Sequence, residues 1–395
     1  MGIGRFAFTP ILPMMLHDKV IDLPGASWLA SANYLGYLVG ALLCTAQPWI
    51  WRRLPRLPAV NAPLMVRGGL AATIIFTTGM SLDASVLWPS LRFASGVASA
   101  FVFVYASSWC LAQLARRGVA NMGGLIYIGP GAGIVVSGLL ASALVGVGWP
   151  SGAAWMIFGM LALVLTAVIL PRFRVRAAEP GVGPASAAVL SSAPSPAYTA
   201  AVNLPTGKGE LALLSFGYGL AGFGYIITAT FLPVIARQAI PGSAWLDLFW
   251  PLFGTGVMLG ATIASRIPSG GDNRVLLAGC YFVQAAGIGL GILSPSAAGF
   301  ALGSLLLGLP FTAITFFAMQ EVRRLRPASV PSYMGLLTVL YGIGQIVGPP
   351  LVALLLRHSA TAGEGFALAL ELAAAALVVG GLVFAGMARG YVIRR

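Results

Sequence analysis

The strongest constraint on the fold of this chain is its division into about a dozen apolar stretches of membrane-spanning length, separated by short loops. Hydrophobic residues make up 58% of its 395 residues, charged residues only 8%, and the mean hydropathy is +0.91. A soluble domain needs more polar surface than this, whereas a lipid bilayer requires an apolar exterior. The sequence therefore predicts an all-α integral membrane protein.

The apolar stretches can be counted as helical spans, because a helix of about 20 apolar residues crosses roughly 30 Å of hydrocarbon. We predict twelve transmembrane helices, over residues 1–16, 28–50, 64–80, 86–115, 119–145, 149–170, 211–236, 245–265, 275–293, 297–320, 332–356 and 363–388. The first span is short and places Arg5 at membrane depth. We therefore expect the natural chain to begin upstream of Met1; a short helix that thins the bilayer is the alternative.

The loop charges predict the orientation, because Lys and Arg in short loops stay on the cytoplasmic side. Alternate loops carry the cations, at Arg52, Arg53, Arg56, Arg116, Arg117, Arg172, Arg174, Arg176, Arg266, Arg274, Arg323, Arg324, Arg326, Arg389, Arg394 and Arg395. Both termini are then cytoplasmic. The net charge of +13 comes from these scattered helix ends, which favours contacts with anionic membrane lipids over nucleic-acid binding.

Cofactor and metal chemistry have no sequence support. Cys44, Cys110 and Cys280 lie in separate spans without metal-ligand spacing or companion histidines, which indicates apolar packing residues. The chain contains no GxxxxGK[ST] motif for ATP and no arrangement of nucleophile, base and orienting group. We expect no metal, no cofactor and no enzymatic activity.

A linker divides the chain into two parts. Residues 171–209 are rich in Ala, Pro, Ser and Gly, a composition typical of disorder, and separate a six-helix half over 1–170 from a second over 210–395. The halves share residues at a constant offset of 220, namely Gly2/Gly222, Gly4/Gly224, Pro13/Pro233, Gly36/Gly256 and Gly40/Gly260. A second correspondence, at an offset of 212, relates Met122-Gly123 to Met334-Gly335. The sequence predicts duplicated, pseudo-symmetric halves.

Two six-helix halves around a central pathway form the architecture of major facilitator transporters, in which solute binds near mid-membrane. Glycines four residues apart allow close helix approach, at Gly36/Gly40, Gly129/Gly133, Gly256/Gly260 and Gly344/Gly348. Prolines offer bend points, at Pro130, Pro310, Pro349 and Pro350. Static close packing is the alternative explanation for each glycine pair.

Two motifs resemble the YbfB/YjiJ-type branch of the major facilitator superfamily. They are Gly2-Ile-Gly-Arg5-Phe-Ala-Phe-Thr-Pro10-Ile-Leu-Pro13 and Gly335-Leu-Leu-Thr338-Val-Leu-Tyr-Gly342-Ile-Gly-Gln345-Ile-Val-Gly348-Pro349. The resemblance covers essentially the whole chain. It implies a bacterial inner-membrane transporter with twelve helices, in a branch largely without assigned substrates.

Some landmarks of the superfamily are present and others are missing. Arg92 with Gly96 and Ala100 is similar to its arginine motif, and Gly129-Pro130 resembles its antiporter motif. The loop after the second span has no acidic residue, so the aspartate of the cytoplasmic gate motif is absent there.

Polar groups inside spans are candidate functional residues, because burying them in the membrane is costly. We predict a substrate site from Arg5, Thr9, Asn33, Tyr34, Tyr225 and Gln345, and coupling or gating by Arg92, Gly129, Pro130 and Glu371. Alternatives stay open for four of them. Arg5 and Gln345 could bond to other helices, Arg92 could hold its helix, and Glu371 could be a solvated helix end.

The predicted function is secondary active transport of a small organic solute by alternating access, coupled to protons and carried out by a monomer. Arg5 offers donors to a carboxylate or phosphate and buried acids are scarce, so an anionic or amphipathic solute is favoured. Multidrug or metabolite efflux is the alternative. A non-transporting receptor or scaffold is a third class.

Overall fold

The computed structural model describes residues 2–53, 61–118, 125–173, 208–243, 245–267, 271–326 and 330–391. Most of the predicted linker, residues 174–207, lies outside these ranges. The helices before it are α1 (Gly2–Phe6), α2 (Phe8–His17), α3 (Leu23–Arg53), α4 (Ala62–Gly79), α5 (Trp88–Arg116), α6 (Ile128–Gly146) and α7 (Ser151–Ile169). Those after it are α8 (Lys208–Ala239), α9 (Phe249–Arg266), α10 (Asn273–Leu293), α11 (Ala297–Gly308), α12 (Phe311–Leu325), α13 (Val330–His358) and α14 (Ala362–Gly390).

Ten helical segments within these ranges are long and apolar enough to cross a membrane. Large apolar side chains on their outer faces are exposed, as a bilayer solvent requires. The predicted tenth span consists of two helices, α11 and α12, which meet at Pro310 as the sequence predicted. The predicted first span coincides with α1 and α2, and the third with α4. The helices of the first and third predicted spans are shorter or less apolar than the ten. The count of twelve spans therefore stays a prediction.

A bend at Ala7 separates α1 from α2. Pro10 has no backbone N–H, so the Phe6 carbonyl lacks its usual helical donor and the helix bends. The position equivalent to Pro10, 220 residues later, is Thr230, and α8 continues through it. The two halves of the sequence therefore differ at this point.

Helix α3 packs on α5, and α9 packs on α11, through backbone-to-backbone contacts at glycines. A Cβ on Gly36 would lie 2.0 Å from the Phe93 carbonyl oxygen, and one on Gly256 would lie 2.4 Å from that of Leu305. The two glycines are 220 residues apart and the two carbonyls 212, the offsets found in the sequence. The next turn repeats this correspondence, in Gly40 with Val97 and Gly260 with Leu309.

One predicted glycine contact is wrong. A Cβ on Gly129 would have no neighbour within 4 Å, so this glycine of the predicted Gly129/Gly133 pair does not mediate close packing. Gly133 does, since its Cβ would lie 2.4 Å from the Cα of Gly2 in α1. Pro130 lies in the first turn of α6, where a proline fits without bending the helix.

Contacts also join helices that precede the linker to helices that follow it. Helix α3 packs along α13, α6 packs on α9, and α2 packs on α8. The second of these is tight, because a Cβ on Gly131 would lie 2.8 Å from the Gly254 carbonyl oxygen. The buried centre of the molecule lies where α1, α2 and α3 meet α8 and α13.

A charged cluster, which consists of Glu210, Asp272, Arg274, Glu321 and Arg324, joins α8, α10 and α12 at one end of the bundle. The Arg274 side chain is fully buried. Its Nε and Nη2 donate to the two carboxylate oxygens of Asp272, at 2.9 and 2.8 Å, and its Nη1 donates to Glu210 at 3.1 Å. Arg324 bonds to both Glu210 and Glu321.

The sequence predicts that Arg274 and Arg324 are orientation signals in loops. The structure places Arg274 inside the protein instead. Burial raises the pKa of Asp272, but hydrogen bonds and charge from Arg274 outweigh it, so the pKa lies below its usual value of 3.8. Because the folded pKa is lowered, the stabilisation is present above the usual aspartate range and is lost as the pH falls through the lowered pKa. Near neutral pH the carboxylate is ionised.

Alanine substitution tests the glycine contacts. In Gly36→Ala or Gly256→Ala the new Cβ meets a backbone carbonyl, so we expect the free energy of unfolding to fall by about 1–3 kcal/mol. Gly68 in α4 and Gly279 in α10 are matched controls with no neighbour within 4 Å of a Cβ, and alanine there is neutral or stabilising because of its helix propensity. The measurement is thermal unfolding of the purified protein in detergent. Equal losses at all four positions would contradict the packing.

Arg274→Gln tests the charged cluster. It leaves three carboxylates around an uncharged amide, and we expect a loss of about 3–5 kcal/mol in unfolding free energy, as for other broken buried ion pairs. Arg266→Gln is the matched control, since Arg266 is exposed at the end of α9. Thermal unfolding of both variants is the measurement. If Arg274→Gln is no less stable than Arg266→Gln, the cluster does not hold the helices together.

Candidate functional site

The candidate site is a buried cluster of polar and aromatic side chains where α1 and α3 meet α8 and α13. Arg5, on α1, lies at its centre with only 7% of its surface exposed. The Nη2 of Arg5 donates to Oε1 of Gln345 on α13, at 3.1 Å. Its guanidinium carbon lies 4.1 Å from the ring centre of Tyr37 on α3. A desolvated cation over an aromatic ring is stabilised by about 2 kcal/mol.

Gln345 connects Arg5 to the second half of the chain. While its oxygen accepts from Arg5, its Nε2 donates to the hydroxyl of Tyr225 on α8. Arg5 and Tyr225 are 220 residues apart, so they occupy equivalent positions of the sequence repeat. One neutral amide thus bridges an arginine and a tyrosine that are separated by the repeat offset of the sequence.

Aromatic rings line the second-half side of the cluster. The rings of Tyr225 and Tyr341 stack with centres 5.7 Å apart, and Phe311 meets Tyr225 edge-on at 4.8 Å. Tyr218 lies against Tyr341 at 4.9 Å, and its hydroxyl donates to Thr315. The surroundings of Arg5 are therefore apolar and aromatic, with a few hydroxyl groups.

Thr9 and Tyr34, both predicted as substrate ligands, make bonds to α8. The Thr9 hydroxyl donates to the Ala229 carbonyl at 3.0 Å, and the Tyr34 hydroxyl lies 2.9 Å from that of Thr230. Thr9 and Ala229 are again 220 residues apart. Ser31 makes a similar bond, to the Ile346 carbonyl of α13 at 3.0 Å. These bonds hold the helices beside Arg5 together.

Among the residues that the structure describes, no carboxylate compensates the charge of Arg5. The sequence has ten acidic residues, and among the ion pairs of the described residues none includes Arg5 or Arg92. Glu210, Asp272 and Glu321 belong to the charged cluster, and Asp247 pairs with Arg237. Asp18, Asp22, Asp83 and Glu364 lie at helix ends or in turns. An unpaired cation at membrane depth costs about 2.5–3.5 kcal/mol on insertion scales, which an anionic ligand would offset.

Arg92 and Asn33 make contacts among α1, α3 and α5, beside the cluster. The Nη1 of Arg92 lies 3.5 Å from the Gly4 carbonyl oxygen, which also accepts from Ser95 at 3.1 Å. Asn33 donates to the Arg92 carbonyl at 2.9 Å. Asn33 therefore links α3 to α5, and the structure does not bring it into the polar cluster. The guanidinium of Arg92 also lies over the ring of Phe8, at 4.6 Å.

Two other predicted residues lie away from the cluster. Glu371 is exposed on α14, on the same face as the exposed Leu368 and Leu372. Gly129 lies exposed at the start of α6. The structure brings together Arg5, Thr9, Tyr34, Tyr225 and Gln345, and leaves Glu371 and Gly129 outside.

Sequence reasoning missed Tyr37, Phe311 and Thr230. The signal for Tyr37 was available, because it follows Tyr34 by three residues, the spacing of one helix face. Tyr341 precedes Gln345 by four residues, so the sequence already places these two polar groups near each other. Phe311 and Thr230 carry no such signal, since only the packing of α8 and α12 places them here.

Known proteins with similar sequence or fold are transporters. Residues 1–385 match the family described as uncharacterised MFS-type transporter YbfB. The uncharacterized MFS-type transporter YceJ of Bacillus subtilis (strain 168) is 26% identical over 297 residues, which span 72% of this chain and 68% of that protein. A chloramphenicol resistance protein of Streptomyces lividans is 25% identical over 369 residues, 91% of this chain and 87% of that protein.

The fold recurs in a solved structure. The nucleoside transporter NupG, crystallised as a point mutant, superposes with a TM-score of 0.69 at 14% identity, over 98% of this chain and 97% of that one. The shared fold, the apolar helices and the family match along nearly the whole sequence all indicate a membrane transporter. The chain belongs to the YbfB-type family of MFS transporters and is a multi-pass membrane transporter.

Proposed function

We propose that the protein is a secondary active transporter of a small organic solute that is anionic or amphipathic. The observation that carries this proposal is the guanidinium of Arg5, which is buried at the meeting point of four helices with a neutral amide and aromatic rings as its neighbours. A carboxylate or phosphate would form a charge-assisted bond there, roughly twice as strong as a neutral one. The aromatic rings would contact an apolar body attached to that anion.

The proposed architecture is twelve spans arranged as two six-helix halves, with α1 and α2 as the first span and α11 and α12 as the tenth. The recurrence of the Gly36–Phe93 contact at Gly256–Leu305 supports it. So does the pairing of Thr9 with Ala229, because a pseudo-two-fold axis brings equivalent residues of two halves face to face. The cluster around Arg5 lies at this axis.

The positions of the bonds between the halves support alternating access. Arg5–Gln345, Thr9–Ala229 and Tyr34–Thr230 all connect a helix of the first half to one of the second. Rocking of one half against the other would break or remake them around a bound solute. The proposed functional unit is a monomer.

Energy coupling and orientation complete the proposal. Protons are the proposed coupling ion, because the sequence carries no ATP-binding motif. The alternating placement of arginines supports cytoplasmic termini in a bacterial inner membrane. Glu371 is not needed for this scheme, since it lies exposed on α14 away from Arg5.

Multidrug or metabolite efflux is the second candidate. The similarity to a chloramphenicol resistance protein supports it. Efflux of a neutral or cationic drug would not need a charge-assisted bond from Arg5. The effect of substituting Arg5 therefore distinguishes the two candidates. A receptor or scaffold would have no solute to bind at this cluster at all.

Anion binding tests the proposal directly. We expect benzoate to raise the thermal unfolding midpoint of the purified full chain, since a ligand stabilises the folded state by RT ln(1 + [L]/Kd). Removing one charge-assisted hydrogen bond costs about 1.5–3 kcal/mol, so Arg5→Ala should raise the Kd by about tenfold or more. Arg5→Lys keeps the charge but loses the paired N–H donors of the guanidinium. Its Kd should therefore lie between those of the wild type and Arg5→Ala.

Three controls accompany the experiment. Arg67→Ala removes an exposed arginine from α4 and should leave benzoate binding unchanged. Benzamide has the same ring without the charge and should not stabilise the protein. Stabilisation by chloramphenicol or by tetraphenylphosphonium alone, with no effect of benzoate, would instead support efflux and reject the anion site.

Proton coupling needs a separate measurement in proteoliposomes. Benzenesulfonate is the probe, because it stays charged and does not cross lipid by itself. We expect an imposed pH gradient to speed its protein-dependent movement and a protonophore to abolish that gain. Equal rates with and without the gradient would reject protons as the coupling ion while leaving the binding site in place.

A further inference from the structure

We propose that Gln345 occupies the anion-binding edge of Arg5 in the resting protein and that an incoming solute carboxylate displaces it. This inference rests on the proposed function. It assigns Gln345 a role different from that of a direct substrate ligand, since its amide substitutes for the solute oxygen while the site holds no solute.

The first step of the argument is the geometry of the arginine fork. Arg274 uses its Nε and Nη2 together to hold both oxygens of the Asp272 carboxylate, at 2.9 and 2.8 Å. This is the bidentate arrangement in which arginine binds carboxylates best. Within the described part of the chain, the same edge of Arg5 holds one oxygen only, because Nη2 donates to Gln345 and the buried Nε has no hydrogen-bond partner there.

The second step is the difference in strength between the two acceptors. An amide oxygen is neutral and offers one acceptor atom to this edge, whereas a carboxylate offers two atoms and a full charge. A carboxylate on Arg5 would satisfy Nε as well as Nη2 and neutralise the buried cation. Exchange of Gln345 for the solute would therefore gain a second hydrogen bond on this edge and would neutralise the buried charge.

The third step is what the exchange would do to the helices. Gln345 lies on α13 and reaches α1 through Arg5 and α8 through Tyr225, so one side chain connects three helices. Once a solute takes its place on Arg5, the bond from α1 to α13 is gone and the one from α13 to α8 stays. Solute binding would in this way remove one of the bonds between the first half and the second, while those of Thr9, Tyr34 and Ser31 remain. A ligand shifts a conformational equilibrium only through such a difference in contacts.

Two substitutions at Gln345 separate this role from the alternatives, with benzoate as the probe and Kd measured by thermal stabilisation of the full chain. Gln345→Glu supplies a permanent carboxylate to Arg5, so we expect a higher unfolding midpoint without benzoate and a Kd raised about tenfold or more. Gln345→Leu removes the competitor, so the Kd should fall by about threefold or more.

Gln284→Leu is the matched control. Gln284 is also buried, and its Nε2 donates to the Leu307 carbonyl on a neighbouring helix at 3.0 Å, away from Arg5. The same change of side chain should lower the unfolding midpoint there and leave the Kd for benzoate as in the wild type. This control separates a loss of buried hydrogen bonding from release of Arg5.

The order of the three Kd values decides the proposal. Leucine tightest, wild type intermediate and glutamate weakest supports displacement. A leucine variant that binds more weakly than the wild type overturns it and makes Gln345 a direct ligand; three equal values overturn it and make Gln345 structural. If the leucine variant does not fold, the glutamate variant decides, since unchanged or tighter binding there rejects displacement.

Failure of the proposed function gives a different result. If benzoate stabilises neither the wild type nor Gln345→Leu, the anion site itself is rejected, and the displacement with it. If benzoate binds the wild type and the order of Kd values fails, only the displacement is rejected.

Discussion

A guanidinium buried among apolar helices has to find its acceptors inside the protein, because lipid supplies none. This chain meets that requirement in two ways. Arg274 is fully neutralised by Asp272 and Glu210, with bonds of 2.8–3.1 Å. Arg5 donates to the neutral amide of Gln345 and lies against aromatic rings. The first arrangement holds helices together, and the second leaves binding capacity for a ligand.

The proposed pseudo-symmetry of the two halves would account for the position of Arg5 near the centre. Contacts such as Gly36–Phe93 and Gly256–Leu305 recur at the sequence offsets, which supports a framework that is alike on both sides. In that architecture the differences concentrate near the axis. Arg5 corresponds to Tyr225 and Pro10 to Thr230, so the first half contributes a cation and a helix interrupted at Ala7, while the second contributes a hydroxyl and a helix that continues through the equivalent position. A duplicated framework would thus surround an asymmetric site.

Much of this could be predicted from the sequence, for a physical reason. Apolar length and glycine spacing act locally, so they predicted the helices and the close contact at Gly36, and Pro310 predicted the break between α11 and α12. The motif around Arg5 and Gln345 named two residues that the structure joins directly. Five of the six predicted substrate residues lie in or beside one cluster.

The sequence carries less information where the answer depends on which way a helix face points. Gly129 has the residue type expected of close packing, yet it lies on an exposed face without a close neighbour among the described residues. Glu371 is also exposed, and its coupling role stays a prediction. Arg274 was counted as a loop cation, although three carboxylates from α8, α12 and the turn before α10 surround it. Rotation of a helix about its axis comes from packing of the whole bundle, and a uniformly apolar helix carries little periodic signal for it.

The neutral amide of Gln345 beside Arg5 affects both the stability of the protein and the proposed binding of an anion. A carboxylate at position 345 would neutralise the guanidinium permanently, as Asp272 does for Arg274, and would compete with any anionic solute. An apolar residue there would leave Nη2 without an acceptor, at the cost of an unsatisfied buried charge. Glutamine lies between these extremes, since its oxygen satisfies one donor and its bond is weak enough to exchange. Because Gln345 also donates to Tyr225, the exchange would alter a contact of α8 as well. In the proposed mechanism, the residue that provides an acceptor for Arg5 is therefore also the one whose contacts change when a solute binds.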